Sequence, residues 1–145
     1  MEIRITINID DEELKKVLGA QSDQPTRKTH EPDVYARFFN EGVASWTKYP
    51  EVNRVFLITQ QQCATDKLRA RGYLFLNEVY DMLGFSRTKA GQCVGWVYDE
   101  ANPVGDNRVD FGIYDDCNQE FVNGNWNYPL LTFNVDGNIL EYLKD

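Results

Sequence analysis

The chain has 145 residues, of which 42% are hydrophobic and 13% aromatic, and this suits one domain with a buried core. The composition argues against a disordered body. No run approaches the roughly 18 apolar residues that a membrane-spanning helix needs, and Met1–Arg4 does not begin a secretory signal. Three cysteines without regular spacing predict no disulfide framework, so we expect a reducing, cytoplasmic setting.

The net charge of −8 is unevenly distributed. Residues 1–98 carry 13 acidic and 13 basic side chains, whereas residues 99–145 carry 10 acidic and 2 basic ones. A surface with that excess repels phosphate backbones and suits a basic groove on another protein. The plainer interpretation is that these acids keep the domain soluble.

The N-terminal segment alternates isoleucine with polar residues from Ile3 to Ile9, which is typical of a half-buried strand. Asp10 and Glu13 form a capping-box pattern, so a short helix should follow. We therefore expect a strand–helix element over residues 1–19 and a polar linker over residues 20–31. An exposed strand of this kind could also pair with a second copy, giving a homo-oligomer.

Two helices are predicted next. Pro32 suits the first turn of one helix, which should end before Pro50. A longer helix should run from Glu51 and end at Gly72, a residue that adopts the left-handed conformation after a helix at no steric cost. Its predicted apolar side comprises Val52, Val55, Phe56, Thr59 and Cys63, with Leu57, Ala64 and Leu68 beside them.

The region after Leu74 has the clearest pattern. Leu76–Leu83 has apolar residues at helical spacing, with Asn77 as the expected N-cap and Gly84 as the stop. A strand buried on both faces is predicted over residues 93–98. After a turn at residues 102–107, the alternating residues 109–113 should form its antiparallel partner.

The remaining chain predicts short elements separated by turns. Residues 115–120 read as a turn, Phe121 and Val122 as a short strand, and Asn123–Asn125 as a hairpin. Leu131–Val135 should be another strand, and residues 139–143 a short helix or strand.

Together these elements predict an α+β fold with helices on one face of a small antiparallel sheet, in which residues 32–145 form the main domain. The expected core consists of Phe38, Phe56, Leu76, Val79, Leu83, Val94, Trp96, Phe111, Ile113, Leu131 and Phe133.

Five stretches resemble a family of uncharacterised proteins encoded by bacteriophages and prophages. They are EPDVYARFF, QQCATDKLRARG, FLNEVYDMLGFSRTKAGQCVGWVYD, GDNRVDFGIYD and LTFNVDG, and they extend over residues 31–137. The resemblance implies a phage or mobile-element origin and no particular reaction.

No motif indicates catalysis. Asp110-Phe111-Gly112 spells the magnesium motif of kinases, but the catalytic loop, Gly-rich loop and ATP-binding lysine that must accompany it are absent. His30 stands alone in a polar segment. Cys63 and Cys93 fall in apolar patterns and are expected in the core, and Cys117 lies far from both along the chain. We expect no enzyme, no cofactor and no metal.

Basic residues near the two central helices offer a weaker hypothesis. A small anion site could form if they gathered on one side, although bases near helix ends are common without any ligand. These residues are Lys67, Arg69, Arg71, Arg87 and Lys89.

We therefore expect a non-catalytic accessory or virion-associated protein that acts by protein–protein contact in the bacterial cytoplasm or in the virion. The candidate partner-binding residues are Asp99, Glu100, Asp106, Asp110, Asp115, Asp116 and Glu120. Two alternatives remain open, an inhibitor of a host defence nuclease that mimics nucleic acid, and a small enzyme. The same acids could bind calcium or magnesium, although turn-forming Asp explains them with fewer assumptions. We expect no membrane binding and no direct nucleic-acid binding, since the acidic surface opposes stacking of bases on the tryptophans.

Overall fold

A computed structural model describes residues 34–143. Over these residues there are three α-helices, α1 (Pro50–Arg71), α2 (Leu76–Leu83) and α3 (Gln119–Val122). Five short strands accompany them, β1 (Arg37–Phe38), β2 (Tyr73–Phe75), β3 (Val94–Val97), β4 (Leu130–Leu131) and β5 (Gly137–Asn138). Turns of 3₁₀-helix span Ala90–Gln92, Asp116–Asn118 and Leu140–Leu143. The predicted α+β class is confirmed, while the strand–helix element and the linker lie outside the described residues.

Helix α1 begins and ends as its sequence predicts. Pro50 occupies the first turn, and Gly72 ends the helix at φ 93° with its N–H bonded to the Leu68 carbonyl. The buried side differs from the predicted stripe, because it carries Asn53, Leu57, Ala64, Thr65 and Leu68. Val52, Val55 and Cys63 are exposed, so their predicted burial is wrong.

Helix α2 buries its predicted apolar face, and Gly84 ends it at φ 96°. Phe85 packs edge-on against Tyr80, with ring centroids 5.7 Å apart. The expected N-cap is wrong. Phe75 is the N-cap, and the Glu78 carboxylate accepts a hydrogen bond from its N–H at 3.0 Å. Asn77 is buried and instead holds Thr88, accepting from its N–H and donating to its carbonyl.

Strand β3 is buried at every position, as predicted for a central strand. It lies between β2 and β5 in an antiparallel sheet, with Leu74 opposite Trp96 and Gly137 opposite Gly95. A Cβ at Gly95 would lie 2.0 Å from the Leu74 carbonyl oxygen, so close packing of β2 on β3 requires glycine here.

Residues 109–113 do not pair with β3, which corrects the sequence prediction. The N–H groups of Val109 and Phe111 donate to the side chains of Thr65 (3.0 Å) and Gln61 (2.7 Å) on α1. Since side chains satisfy these amides, the segment stays irregular although Val109, Phe111 and Ile113 are buried as expected.

The helix predicted after Pro32 is also wrong where it can be checked. Strand β1 pairs with β4, and the Phe39 N–H donates to the Pro129 carbonyl. That partner is distant in sequence, so local periodicity could not reveal it. Phe39 is buried, whereas Phe38, predicted in the core, is 55% exposed.

Two further predicted strands are altered. Phe121 and Val122 belong to α3, so no hairpin forms at Asn123–Asn125. The strand predicted over Leu131–Val135 is limited to β4, because Phe133 adopts a positive φ of 47°. Its ring packs against those of Tyr80 (5.6 Å) and Phe111 (5.5 Å), and this packing holds the unusual backbone.

The expected core is largely confirmed. Phe56 is half-buried and Phe38 is exposed, while the other nine predicted residues are buried.

Candidate interaction surface

All seven predicted acids lie on residues 99–120, where the only base in the sequence is Arg108. Asp99, Glu100, Asp106, Asp116 and Glu120 are exposed, and Asp110 and Asp115 are half-buried. The guanidinium of Arg108 lies 3.6 Å from the Asp110 carboxylate. The segment therefore keeps a strong negative charge at neutral pH.

The turn at residues 99–107 is closed by hydrogen bonds at both ends. The Asp99 carboxylate accepts from the N–H groups of Ala101 (3.1 Å) and Asn102 (3.0 Å). The Asn107 amide accepts from the Asp99 N–H at 3.1 Å and donates to its carbonyl at 3.2 Å. Asp99 thus shapes the turn while its charge remains exposed.

Asn134 joins this turn to the core. Its side-chain oxygen accepts from the Asp110 N–H (2.7 Å) and from the indole N–H of Trp96 (2.8 Å). Its amide nitrogen donates to the Asp106 carboxylate (2.9 Å) and to the Arg108 carbonyl (3.1 Å). One uncharged side chain therefore fixes two of the acids relative to β3.

Gly112 links the next pair of acids. The Asp110 carboxylate accepts from the Gly112 N–H at 2.8 Å, and the Asp115 N–H donates to the Gly112 carbonyl at 3.0 Å. The Thr132 hydroxyl lies 3.3 Å from the Asp115 carboxylate. Gly112 has φ 80°, which favours glycine at this bend.

At the end of the segment, the Glu120 carboxylate accepts from the Asn125 amide at 3.0 Å. These contacts connect Asp99, Asp106, Asp110 and Asp115, whereas the side chains of Glu100 and Asp116 make no hydrogen bond or ion pair within residues 34–143. We call the seven acids of residues 99–120 the acidic strip. Among residues 34–143, no three His, Cys, Asp or Glu side chains are grouped so that they could hold a metal ion.

Sequence reasoning missed Asp136. Its carboxylate accepts from the Val97 N–H at 3.0 Å, and a Cβ at Gly105 would lie 1.9 Å from its other oxygen. Burial raises the pKa of Asp136 to about 6; the Val97 bond lowers it, and the Asp106 charge raises it further. Only tertiary packing brings this carboxylate against the acidic strip.

The basic residues do not assemble into an open anion site. The Glu78 carboxylate forms ion pairs with the guanidinium of Arg71 at 2.6 Å and with the ammonium of Lys67 at 4.0 Å. The Asp81 carboxylate accepts a hydrogen bond from the Arg87 guanidinium at 2.6 Å, and this bond lowers the pKa of Asp81. These bases are therefore directed at acids on α2. Arg69 donates to the Asn107 carbonyl at 3.3 Å, and Lys89 is exposed.

Cys63 and Cys117 are exposed and Cys93 is half-buried. The prediction that Cys63 and Cys93 lie in the core is therefore wrong. His30 lies outside the described residues. A shallow depression elsewhere is lined by Glu51, Arg54, Val122, Asn123 and Gly124.

Comparison with known proteins gives one match. Residues 2–143 match the model of a family of unknown function, DUF6353. The chain belongs to the DUF6353 family. This confirms that the resemblance found in the sequence is to an uncharacterised family. No curated protein matches this DUF6353 member, and no solved structure matches it either. Within residues 34–143 no helix is long and apolar enough to cross a membrane.

Proposed function

We propose that this chain is a phage- or prophage-encoded, non-catalytic protein that binds a protein partner through its acidic strip. It would act as an accessory protein in the bacterial cytoplasm or as a virion-associated component. The observation that carries the proposal is the concentration of charge in the strip, since residues 99–120 hold seven carboxylates and a single arginine. A protein with a basic groove is the partner that such a surface complements.

Preorganisation supports a binding role. Asp99, Asp110 and Glu120 accept hydrogen bonds from the N–H groups of neighbouring residues, which fixes the loops while leaving the carboxylates charged. A charged surface that is already ordered loses little conformational entropy on binding. Complementary charge raises association rates and partner specificity, and salt weakens both effects.

Glu100 and Asp116 allow the cleanest test. Both are exposed, and neither side chain has a hydrogen-bond or ion-pair partner among residues 34–143. The double variant Glu100→Lys with Asp116→Lys should therefore fold normally while changing residues 99–120 from seven acids and one base (−6) to five acids and three bases (−2). The matched control, Asp66→Lys with Glu141→Lys, makes the same change in net charge at exposed positions outside the strip.

The measurement is quantitative affinity capture from lysate of a bacterial host, followed by mass spectrometry and by a search for the protein in purified particles. A specific partner should be retained by the wild-type chain and by the control, lost by the strip variant, and released by raised salt. Equal retention by the two double variants would refute the acidic strip as the binding surface.

A second candidate is an inhibitor of a host defence nuclease. The seven carboxylates against one base favour it, because such a series resembles the charge of a nucleic-acid backbone. In cells that carry the nuclease, expression of the wild-type chain should protect invading DNA, and the strip variant should not. Undiminished protection by the strip variant would eliminate this candidate.

A further inference from the structure

An aromatic cluster with one exposed and two half-buried rings includes two residues that follow the acidic strip in sequence. It consists of Trp46, Trp126 and Tyr128. Tyr128 stacks on Trp46 with centroids 5.8 Å apart and an interplanar angle of 23°. The Trp126 ring packs edge-on against Tyr128, with centroids 5.3 Å apart and an interplanar angle of 88°. Trp126 is 50% exposed, although burying an indole is among the most favourable contributions a side chain can make.

Hydrogen bonds hold the cluster in place. The indole N–H of Trp46 donates to the Asn127 carbonyl at 2.9 Å, and that of Trp126 donates to the Tyr128 carbonyl at 3.0 Å. The Asn127 side chain accepts from buried Asn53 at 2.8 Å. Both indole N–H groups are used internally, and the half-exposed ring of Trp126 is the part of the cluster most open to a partner. Such fixed aromatic residues make contacts at a low entropic cost.

One carboxylate contacts the aromatic cluster, and a second holds the residue that precedes Trp126. Glu41 accepts the Tyr128 hydroxyl at 3.0 Å. Glu120, the last acid of the strip, accepts from the side chain of Asn125, which precedes Trp126. Arg54 and Glu51 line the shallow depression together, so that neighbouring surface has no excess charge. The cluster therefore has one carboxylate in direct contact, that of Glu41, and follows the last acid of the strip closely in sequence.

Other aromatic rings of this chain already have a cation above them. Arg71 lies 4.2 Å from the centre of the Tyr73 ring, and Arg37 lies 5.1 Å from that of Tyr80. Arg69 lies 5.8 Å from the centre of the Tyr98 ring, and Lys48 lies 5.7 Å from that of Tyr49. Within residues 34–143 no cation lies over a ring of the aromatic cluster.

We propose that the aromatic cluster is the anchor for an arginine side chain of the basic partner. This rests on the proposed function and adds a specific partner chemistry to it. A guanidinium is planar, stacks on aromatic faces and forms paired hydrogen bonds with carboxylates, whereas a lysine ammonium does not stack. Charge on the strip attracts the partner, and the cluster selects arginine within it.

Two labelled peptides of nine residues test the inference, one of arginine and one of lysine, titrated against the full chain by fluorescence anisotropy. The wild type should bind the arginine peptide about 5- to 10-fold more tightly, in the range of cation–π contacts. Trp126→Ala should lower the affinity for the arginine peptide alone, so that the two peptides bind with affinities within about twofold of each other. Tyr142→Ala removes a similarly exposed ring (48%) elsewhere and should retain the preference.

The outcomes separate this inference from the proposed function. The strip variant, Glu100→Lys with Asp116→Lys, should weaken both peptides and keep the preference for arginine. Equal binding of the two peptides by the wild type, or an unchanged preference in Trp126→Ala, would overturn the inference and leave the proposed function standing. If neither peptide binds the wild type, both the inference and the proposed function are wrong.

Two further measurements keep the test decisive. If Trp126→Ala unfolds in circular dichroism, Glu41→Gln replaces it and should reduce the arginine preference about two- to threefold while retaining the tyrosine contact. A single-stranded oligonucleotide should not bind the wild type. Oligonucleotide binding that depends on Trp126 would mean that the rings stack on bases, which would overturn the inference.

Discussion

Residues 50–97 and residues 99–136 are stabilised in different ways. The first region contains α1, β2, α2 and β3, whose main-chain groups bond to one another within helices and strands. The second contains only α3, β4 and one 3₁₀ turn, and many of its main-chain groups bond to side chains. Asn107, Asn118 and Asn134 make those bonds inside it, and Gln61 and Thr65 reach it from α1.

The difference shows how the chain presents charge in an ordered form. A regular sheet would place alternate residues of this segment in the core, whereas an irregular segment held by amide side chains can expose most of its acids. Its stability then depends on a few polar side chains, each of which bonds several partners. Substitutions in the two regions should therefore fail for different reasons.

The largest expected effect is in the regular region. Gly95→Ala places a Cβ 2.0 Å from the Leu74 carbonyl oxygen, so β2 and β3 must separate, and we expect a loss of about 4 kcal/mol in the free energy of unfolding. Gly42→Ala is the control, because its Cβ would meet only the Asn40 side chain, at 3.2 Å. Urea denaturation of both variants measures the loss, and similar midpoints would contradict the packing of β2 on β3.

In the irregular region the largest effect should come from Asn118→Ala. Asn118 is 1% exposed, donates to the carbonyls of Gly112 (2.8 Å) and Leu130 (2.9 Å), and accepts from the Leu130 N–H (2.8 Å). Leaving these groups unsatisfied should cost about 3 kcal/mol. Exposed Asn102→Ala should cost less than about 0.5 kcal/mol.

Hydrogen exchange locates the Asn118 effect. Amides of residues 111–113 and 130–132 should exchange faster in Asn118→Ala, while those in the middle of α1 should change least. A uniform increase in exchange rates over both regions would show that they unfold as one unit and would contradict the difference in how they are stabilised.

Asp136→Asn should stabilise the chain at neutral pH. Burial raises the folded pKa of Asp136 to about 6, so the folded state binds the proton more tightly than the unfolded one. Its contribution is fully present below pH 3.8, the unfolded value, and is lost as the pH rises through about 6. The variant should be more stable by about 1 kcal/mol at pH 8, after discounting for partial exposure.

Thermal unfolding at several pH values between 4 and 8 measures this, and the stability difference between Asp136→Asn and the wild type should vanish near pH 4. A difference that stays constant with pH would show that Asp136 is not the group responsible.

The smallest expected effect compares two glycines with positive φ. Gly112→Ala and Gly124→Ala share the backbone strain at φ 80° and 86°. Only a Cβ at Gly112 meets other groups, the Thr132 hydroxyl at 2.4 Å and the Asp115 carboxylate at 2.7 Å. Because those side chains can move, Gly112→Ala should cost about 1 kcal/mol more than Gly124→Ala. Equal melting temperatures would show that the bend between Asp110 and Asp115 is not crowded.

Much of the regular region was predictable. Helix α1 was expected to end at Gly72 and α2 at Gly84, and both do, because glycine termination is a local property of the backbone. Burial of β3 was also expected from its apolar run. The face of α1 was predicted less well, since Asn53 and Thr65 are buried through hydrogen bonds that hydrophobic spacing does not register.

The candidate surface was predictable in location but not in arrangement. Counting charges placed the excess acid after residue 98, and the structure links Asp99, Asp106 and Asp110 through Asn107 and Asn134. Asp136 was missed, since its proximity to Gly105 depends on how β5 approaches β3. Trp126 and Glu41 were likewise invisible as one site, because they are distant in sequence.

The sequence by itself determined the fold class, the ends of the two longer helices, most of the core and the uneven charge, because these depend on composition and on contacts between near neighbours. Only the tertiary structure decided that β1 pairs with β4, that residues 109–113 bond to α1, and that Tyr128 of the aromatic cluster contacts Glu41. Those arrangements join residues far apart in the chain, and their free energy exists only when the whole domain has closed.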